Sequence, residues 1–140
     1  MFPQEVTIQM LNAKFNANMG THLGIEFTEV GDIFLSAKMP VDHRTRQPFG
    51  VLHGGASVVL AETIGSVASN MLVDQTKQFC SGLEINANHV KSVQAGFVFG
   101  KAIIVHFGKK THVWDVRITN EANELICISR LTVAVIDKKV

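Results

Sequence analysis

Between Gln47 and Val73 the sequence carries one acidic or basic side chain, Glu62, with His53 set aside. The surrounding run from Gly50, GVLHGGASVVLAETIGSVASNMLV, is otherwise apolar or small. A carboxylate is costly to place in such surroundings, so it is paired, protonated or put to use. Upstream lie Gly54 and Gly55, whose N–H groups sit where a helix would begin. Unsatisfied amides and the helix dipole make that point an anion site. A carboxylate and a fixed amide donor are two of the parts that attack on an activated carbonyl requires. Desolvation of Glu62 would disfavour its charged form and make it a stronger base or nucleophile. No GxSxG elbow or Ser-His-Asp arrangement is evident, so a carboxylate mechanism is the simplest available.

The element that must position these groups is a helix. Val58, Ala61, Gly65, Ala68 and Leu72 recur at helical spacing and form a narrow, small-residued face. Val59, Ile64, Val67 and Met71 put apolar groups around the rest of the circumference, the pattern of a buried helix. A membrane span is the rival reading. His53, Ser57, Glu62, Thr63, Ser66, Ser69 and Asn70 within one segment argue against it.

With 140 residues, 46% hydrophobic and 18% charged, the chain reads as one globular domain spanning 1–140 with a core of its own. A net charge of +1 gives no electrostatic case for nucleic acid. Cys80 and Cys127 lack a CxxC pattern and suit a reducing cytoplasm. The start, MFPQEVTIQMLNAKF, has no basic region followed by an apolar core, so no secretory signal is expected. His22, His43, His106 and His112 form no ligand-spaced set with a cysteine, and no metal is expected.

Taken in order, Glu5–Phe15 reads as a short helix and Thr21–Gly24 as a turn. Ile25–Val30 and Ile33–Met39 form a hairpin around Gly31-Asp32. Pro40–Phe49 is a polar loop before the long helix. Phe79–His89 follows it as a strand with Leu83, Ile85 and Ala87 on one face. Gly96–Phe107 is a long strand, and Thr111–Thr119 with Leu125–Ile136 makes a last hairpin. This order predicts the α+β class, an antiparallel sheet wrapped around one long central helix.

Gln47-Pro48-Phe49-Gly50, His53-Gly54-Gly55 and Ala61-Glu62-Thr63 together resemble the hotdog-fold acyl-CoA thioesterases. The branch is that of the hydroxybenzoyl-CoA thioesterases, the enterobactin proofreading thioesterase and the dihydroxynaphthoyl-CoA thioesterase of menaquinone synthesis. The resemblance runs from His22-Leu23-Gly24-Ile25 to Ser129-Arg130-Leu131. It implies Glu62 as the catalytic carboxylate, nucleophile or general base, and the Gly54 N–H as the group that polarises the thioester carbonyl. It implies Gln47 and His53 as orienting groups and Ser66 as an aid to the carboxylate or its water. His89 would line the CoA or acyl passage. Lys91 stands where relatives place an arginine before a proline; that proline is absent here, which puts the local phosphate contact in doubt. Coenzyme A would be part of the substrate, and no cofactor is implied.

Each of these residues has a blander reading. Glu62 reads also as a structural carboxylate, His53 as a helix cap, Gly54 and Gly55 as a loose helix start, and Gln47 as a loop amide. Ser66 reads also as a small packing residue and His89 as a strand-end polar group. Lys109 and Lys110 read as a solvated turn or as cations for the CoA phosphates. Pocket size would be set by Phe49, Val67, Met71 and Leu83.

Spacing adds a constraint. Gly54 and Glu62 are eight residues apart, about 12 Å of helix rise. One carbonyl cannot sit within ~3 Å of both from the same helix. If both act, they come from different copies of the chain. The expectation is a homodimer with two shared sites, and the resemblance adds pairing into a homotetramer. Against acyl-CoA hydrolysis stand a proofreading role on carrier-protein thioesters, a non-catalytic acyl-CoA binding module, and a hydratase. A binding module has no use for a buried charge at position 62.

Overall fold

The computed structural model describes residues 1–14 and 17–139. In chain order the elements are helix α1 (Ile8–Lys14), the helical turn α2 (Met19–His22), strands β1 (Glu26–Val30) and β2 (Phe34–Pro40), and helix α3 (Gly54–Met71). Strands β3 (Gln78–His89), β4 (Phe97–Phe107), β5 (Thr111–Asn120) and β6 (Leu125–Asp137) follow. The strands form one six-stranded antiparallel sheet in the order β1-β2-β4-β5-β6-β3. Helix α3 carries the chain from β2 to the far edge, where β3 pairs only with β6. The sheet wraps this helix, which is the hotdog arrangement of the α+β class.

Alternation along the strands decides what faces α3. Leu35, Ala37 and Met39 of β2, Val98 and Ala102 of β4, Trp114, Val116 and Ile118 of β5, and Leu131 and Val133 of β6 are buried. The glycines beneath the helix let it seat closely. A Cβ on Gly100 would lie 2.6 Å from Ile64 Cδ1, and one on Gly65 2.6 Å from Leu131 Cδ2. Leu60, Ala61, Ile64 and Ala68 are the most deeply buried apolar residues of α3, whereas Val58 and Leu72 are only half-buried. The buried stripe is thus rotated from the one read in the sequence, toward Leu60 and Ile64, which seat over Gly100 of β4.

Three local features depart from the sequence reading. Residues 19–22 form a helical turn instead of an open turn, held by a capping box in which the Asn18 side chain accepts from the Thr21 N–H and Thr21 Oγ1 accepts from the Asn18 N–H. The first helix covers Ile8–Lys14, and Phe15 lies outside the described residues. In β3 a bulge falls between Gly82 and Glu84. Before it the even residues Cys80 and Gly82 face inward; after it Ile85, Ala87 and His89 do. Leu83 is the extra residue and is 63% exposed, because a bulge shifts the two-residue period by one.

Two polar ties fix α3. The Asn70 amide donates to the Ser66 and Cys80 carbonyls (2.9 and 3.2 Å) and accepts from the Cys80 N–H (2.9 Å). It therefore serves β3 as a short substitute neighbour. Near the helix C-terminus the Trp114 indole N–H donates to Ser69 Oγ (2.7 Å), which lies 3.1 Å from His112 Nδ1. When the other ring nitrogen donates to the Gly108 carbonyl, the Ser69 hydroxyl donates to His112. No helix among the described residues is long and apolar enough to cross a membrane.

His112 is buried at 1% exposure. Burial holds its pKa below the ordinary 6.5, His106 adds to the effect, and the Gly108 carbonyl opposes it. The folded protein therefore binds a proton here less readily than the unfolded chain. The stability this group contributes is complete above pH 6.5 and declines as pH falls below it toward the folded value. Urea unfolding midpoints measured from pH 8 to pH 5 are expected to stay level near pH 8 and to drop below 6.5; a profile level throughout contradicts the assignment.

Candidate active site

The loop before α3 is a knot of short-range bonds that presents Gln47 and His53 together. Thr45, buried, donates from Oγ1 to the Pro40 carbonyl (2.7 Å) and accepts there from the Asp42 N–H (3.1 Å). Arg44 bonds Asp42 through its guanidinium and its backbone N–H, holding that carboxyl at about 2. The Thr45 carbonyl accepts from the His53 N–H (2.8 Å), so the loop is tied to the helix cap. Beyond it, Arg46 bridges Leu52, and the Gln47 N–H donates to the Val51 carbonyl (2.9 Å). The Phe49 N–H donates to Gln47 Oε1. Gly50 closes the tip with φ +83°, a conformation that favours glycine. With its oxygen engaged, the Gln47 side chain has its NH₂ left to offer a ligand.

At the start of α3 the donors are nearly all spent. The Ala56 and Ser57 N–H groups go to the His53 carbonyl (3.0 and 3.3 Å), and the Gly55 N–H goes to His53 Nδ1 (2.8 Å). Among the described residues the Gly54 N–H has no acceptor. It is the open amide at a helix N-terminus, where the dipole favours developing negative charge. His53 is therefore the N-cap of α3. In its neutral form the ring carries its proton on Nε2, on the exposed side.

A cavity of about 340 Å³ opens at this amide, lined by Gln47, Leu52, Gly54, Ser57, His89, Val90, Lys91, Ser92 and Ile126. The His89 ring lies directly over Gly54; a Cβ there would be 2.7 Å from His89 Nε2. The bulge in β3 turns His89 inward to reach it. Lys91 is ion-paired with Glu124, whose carboxyl the Lys91 ammonium and the Asn120 amide hold below its ordinary pKa. Four of the sequence candidates, Gln47, Gly54, His89 and Lys91, thus meet in one place, with His53 and Gly55 at its rim.

Glu62 is elsewhere. It does not line this cavity. Its carboxylate rests against Gly82 at the bulge of edge strand β3, half-buried instead of deep in the core. Among the described residues it has no ion-pair or hydrogen-bond partner. Ser66 and Val67 continue along the same side of α3 into a separate hollow with Asn70 and Met71. Lys109 and Lys110 line a cavity at the opposite end of the helix, beside Leu72 and His112, and Lys110 is paired with Asp137 at 2.7 Å. Within one chain they do not join the Gly54 cavity. Gly82, against the Glu62 carboxylate, and Ser57, in the wall of the Gly54 cavity, are not singled out by sequence reasoning. A glycine inside an alternating strand is the signal that could have marked Gly82.

An antiparallel sheet wrapped on one long central helix is the fold of the hotdog thioesterases. Comparison with known proteins agrees. The sequence matches the Thioesterase superfamily over residues 49–127, and the chain belongs to that family. It is 49% identical over 136 residues to 1,4-dihydroxy-2-naphthoyl-CoA hydrolase of Escherichia coli, covering 97% of this chain and 99% of that one. It is 44% identical over 135 residues to the proofreading thioesterase EntH of Cronobacter turicensis, covering 96% and 98%. A mutant thioesterase from Pseudomonas aeruginosa superposes with a TM-score of 0.95 at 47% identity, over 98% of this chain and 99% of that one. The protein is a thioester hydrolase.

Because the Glu62 carboxylate occupies the space a Cβ on Gly82 would need, Gly82→Ala is expected to move the carboxylate and leave the core intact. Displacement of a reacting group by about 1 Å costs about 10²-fold in rate. Turnover should fall by that order with the urea midpoint little changed; full activity would show that the position of Glu62 on Gly82 does not matter.

Proposed function

We propose that the protein hydrolyses acyl-CoA thioesters with aromatic or medium-sized acyl groups, at sites shared by two copies of the chain. Glu62 of one protomer acts as nucleophile or as the base for water. The Gly54 N–H of its partner receives the carbonyl oxygen, with Gln47 and His53 of that partner orienting the thioester. Ser66, one turn beyond Glu62, assists the carboxylate or its water. Attack at the carbonyl carbon breaks the C–S bond, and the products are the free acid and the CoA thiol. His89 and Lys91 flank the route of the CoA arm, with Gly55 beside it. Lys109 and Lys110 are held as further contacts for its phosphates, reached from another protomer. No cofactor enters, since coenzyme A arrives as substrate.

The observation that carries this reading is the division of the site. The open amide and the unpaired carboxylate sit two helical turns apart on α3, about 12 Å; the amide lines the Gly54 cavity, whereas the carboxylate rests against Gly82 outside it. Strand β3 lies at the sheet edge beside Glu62, and its outer edge is the one that a second copy could extend. Two such edges pairing antiparallel would bring the Gly54 tip of one copy toward Glu62 of the other. Phe97, Phe99, Ile103, Val105 and Phe107 are exposed on β4, and this apolar outer face supports further pairing of dimers into a homotetramer. The aromatic preference rests on the relatives named for dihydroxynaphthoyl-CoA and for proofreading, and points to a step such as that of menaquinone synthesis. Free, buried Cys80 and Cys127 accord with a cytoplasmic setting. The whole chain is read as one catalytic domain.

Thiol release from benzoyl-CoA, short and long acyl-CoAs and an acylated carrier protein tests this. Glu62→Gln is expected to lose about 10²–10⁴-fold in kcat, the range for a group that activates water or transfers a proton. Turnover equal to that of the unaltered protein would remove Glu62 from the catalytic role. Preference for the carrier protein would move the substrate to proofreading.

A further inference from the structure

Phe49 is 91% exposed, more than any other large apolar residue among the described residues. It stands at the tip of the bonded loop between Arg46 and Leu52, and its own N–H holds the Gln47 side chain in place. An exposed aromatic ring on a rigid tip is costly to leave in water without a use. The loop therefore carries two things toward whatever meets it: the Gln47 amide and, two residues on, an uncovered ring.

On the other half of the site an apolar hollow begins one helical turn beyond Glu62. Leu11, Val67 and Met71 form its apolar lining and Ser66 its near rim, in a volume of about 380 Å³. It shares Leu11 and Met71 with a second hollow of about 730 Å³ beneath α1. This is the size range of sites that take small molecules. A carbonyl held at Glu62 has its acyl group beside this hollow.

We propose that Phe49 of one protomer forms the outer wall of the acyl site on its partner, closing the hollow of Val67 and Met71 over the acyl group and setting its preference for rings. This rests on the shared-site reading above. The distances allow it. Phe49 lies at most about 7 Å along the chain from Gln47, and the rim at Ser66 lies about 6 Å along α3 from Glu62. Where Gln47 reaches the thioester at the partner's Glu62, the Phe49 ring reaches the mouth of that hollow. A ring packed there favours aromatic acyl groups by offset stacking and by area removed from water.

The test uses ratios of kcat/KM for benzoyl-CoA over acetyl-CoA. In the Phe49→Ala homodimer the ratio is expected to fall at least about tenfold, and Phe49→Leu to restore part of it. An unchanged ratio overturns the proposal. Next, a heterodimer is purified through two tags, one chain carrying Glu62→Gln and the other Phe49→Ala. If Phe49 acts on its partner, the one competent site holds an intact Glu62 and an intact Phe49. About half the turnover of the unaltered dimer is then expected, with its full benzoyl preference. Residual activity with the ratio of the Phe49→Ala homodimer places the ring in its own chain and overturns the proposal. A fully active Glu62→Gln homodimer fails the shared-site reading itself, and the two failures are thereby told apart.

Discussion

The close seating of α3 on the sheet is the constraint on which the molecule depends. Leu60 and Ile64 descend over Gly100, Leu131 rises against Gly65, and Glu62 rests on Gly82. Each glycine removes a Cβ that would otherwise hold the helix off the strands. Close approach brings the apolar faces of both elements out of water, the largest favourable term available to a chain of this size. The same approach fixes the axial position of α3. Its first amide is thereby set under His89 and its carboxylate at the bulge of β3.

Polar groups are distributed to protect that seating. Asn70 satisfies both backbone groups of Cys80. Ser69, Trp114 and His112 close a buried network in which each polar atom has a partner, which keeps its burial affordable. At the other end His53 absorbs the Gly55, Ala56 and Ser57 amides and leaves Gly54. One residue thus stabilises the helix start and leaves the Gly54 N–H as the amide there that has no acceptor among the described residues. Structural capping and substrate orientation are compatible roles for His53, since its Nδ1 is spent inside the chain and its Nε2 faces outward.

Cations are treated differently. Lys91 is held by Glu124, Lys110 by Asp137 and Arg44 by Asp42. These are exposed pairs, worth little to stability in water. The Lys91–Glu124 pair lowers the bare positive charge at the Gly54 cavity. Glu62, by contrast, has no cation of its own among the described residues.

Much of the fold is legible in the residues. The alternation of Leu35, Ala37 and Met39, and the all-round apolar circumference of residues 54–71, demand a sheet and one enclosed helix. Gln47, Gly54 and Glu62 stand out by type and spacing, and the eight-residue interval already excludes their acting together from one helix. Such features are local or periodic, and the period of a helix or strand is a property of the chain itself. What the chain could not declare depends on register between distant segments. The bulge at Gly82–Glu84 reverses which β3 residues face inward, bringing His89 onto Gly54 and pushing Leu83 out. The seat of Glu62, the rotation of the buried stripe toward Leu60 and Ile64, and the placing of Lys109 and Lys110 at the far pole follow from how helix and sheet settle against each other. Packing of that kind is decided by volumes meeting across the core, and no stretch of sequence holds both sides of such a contact.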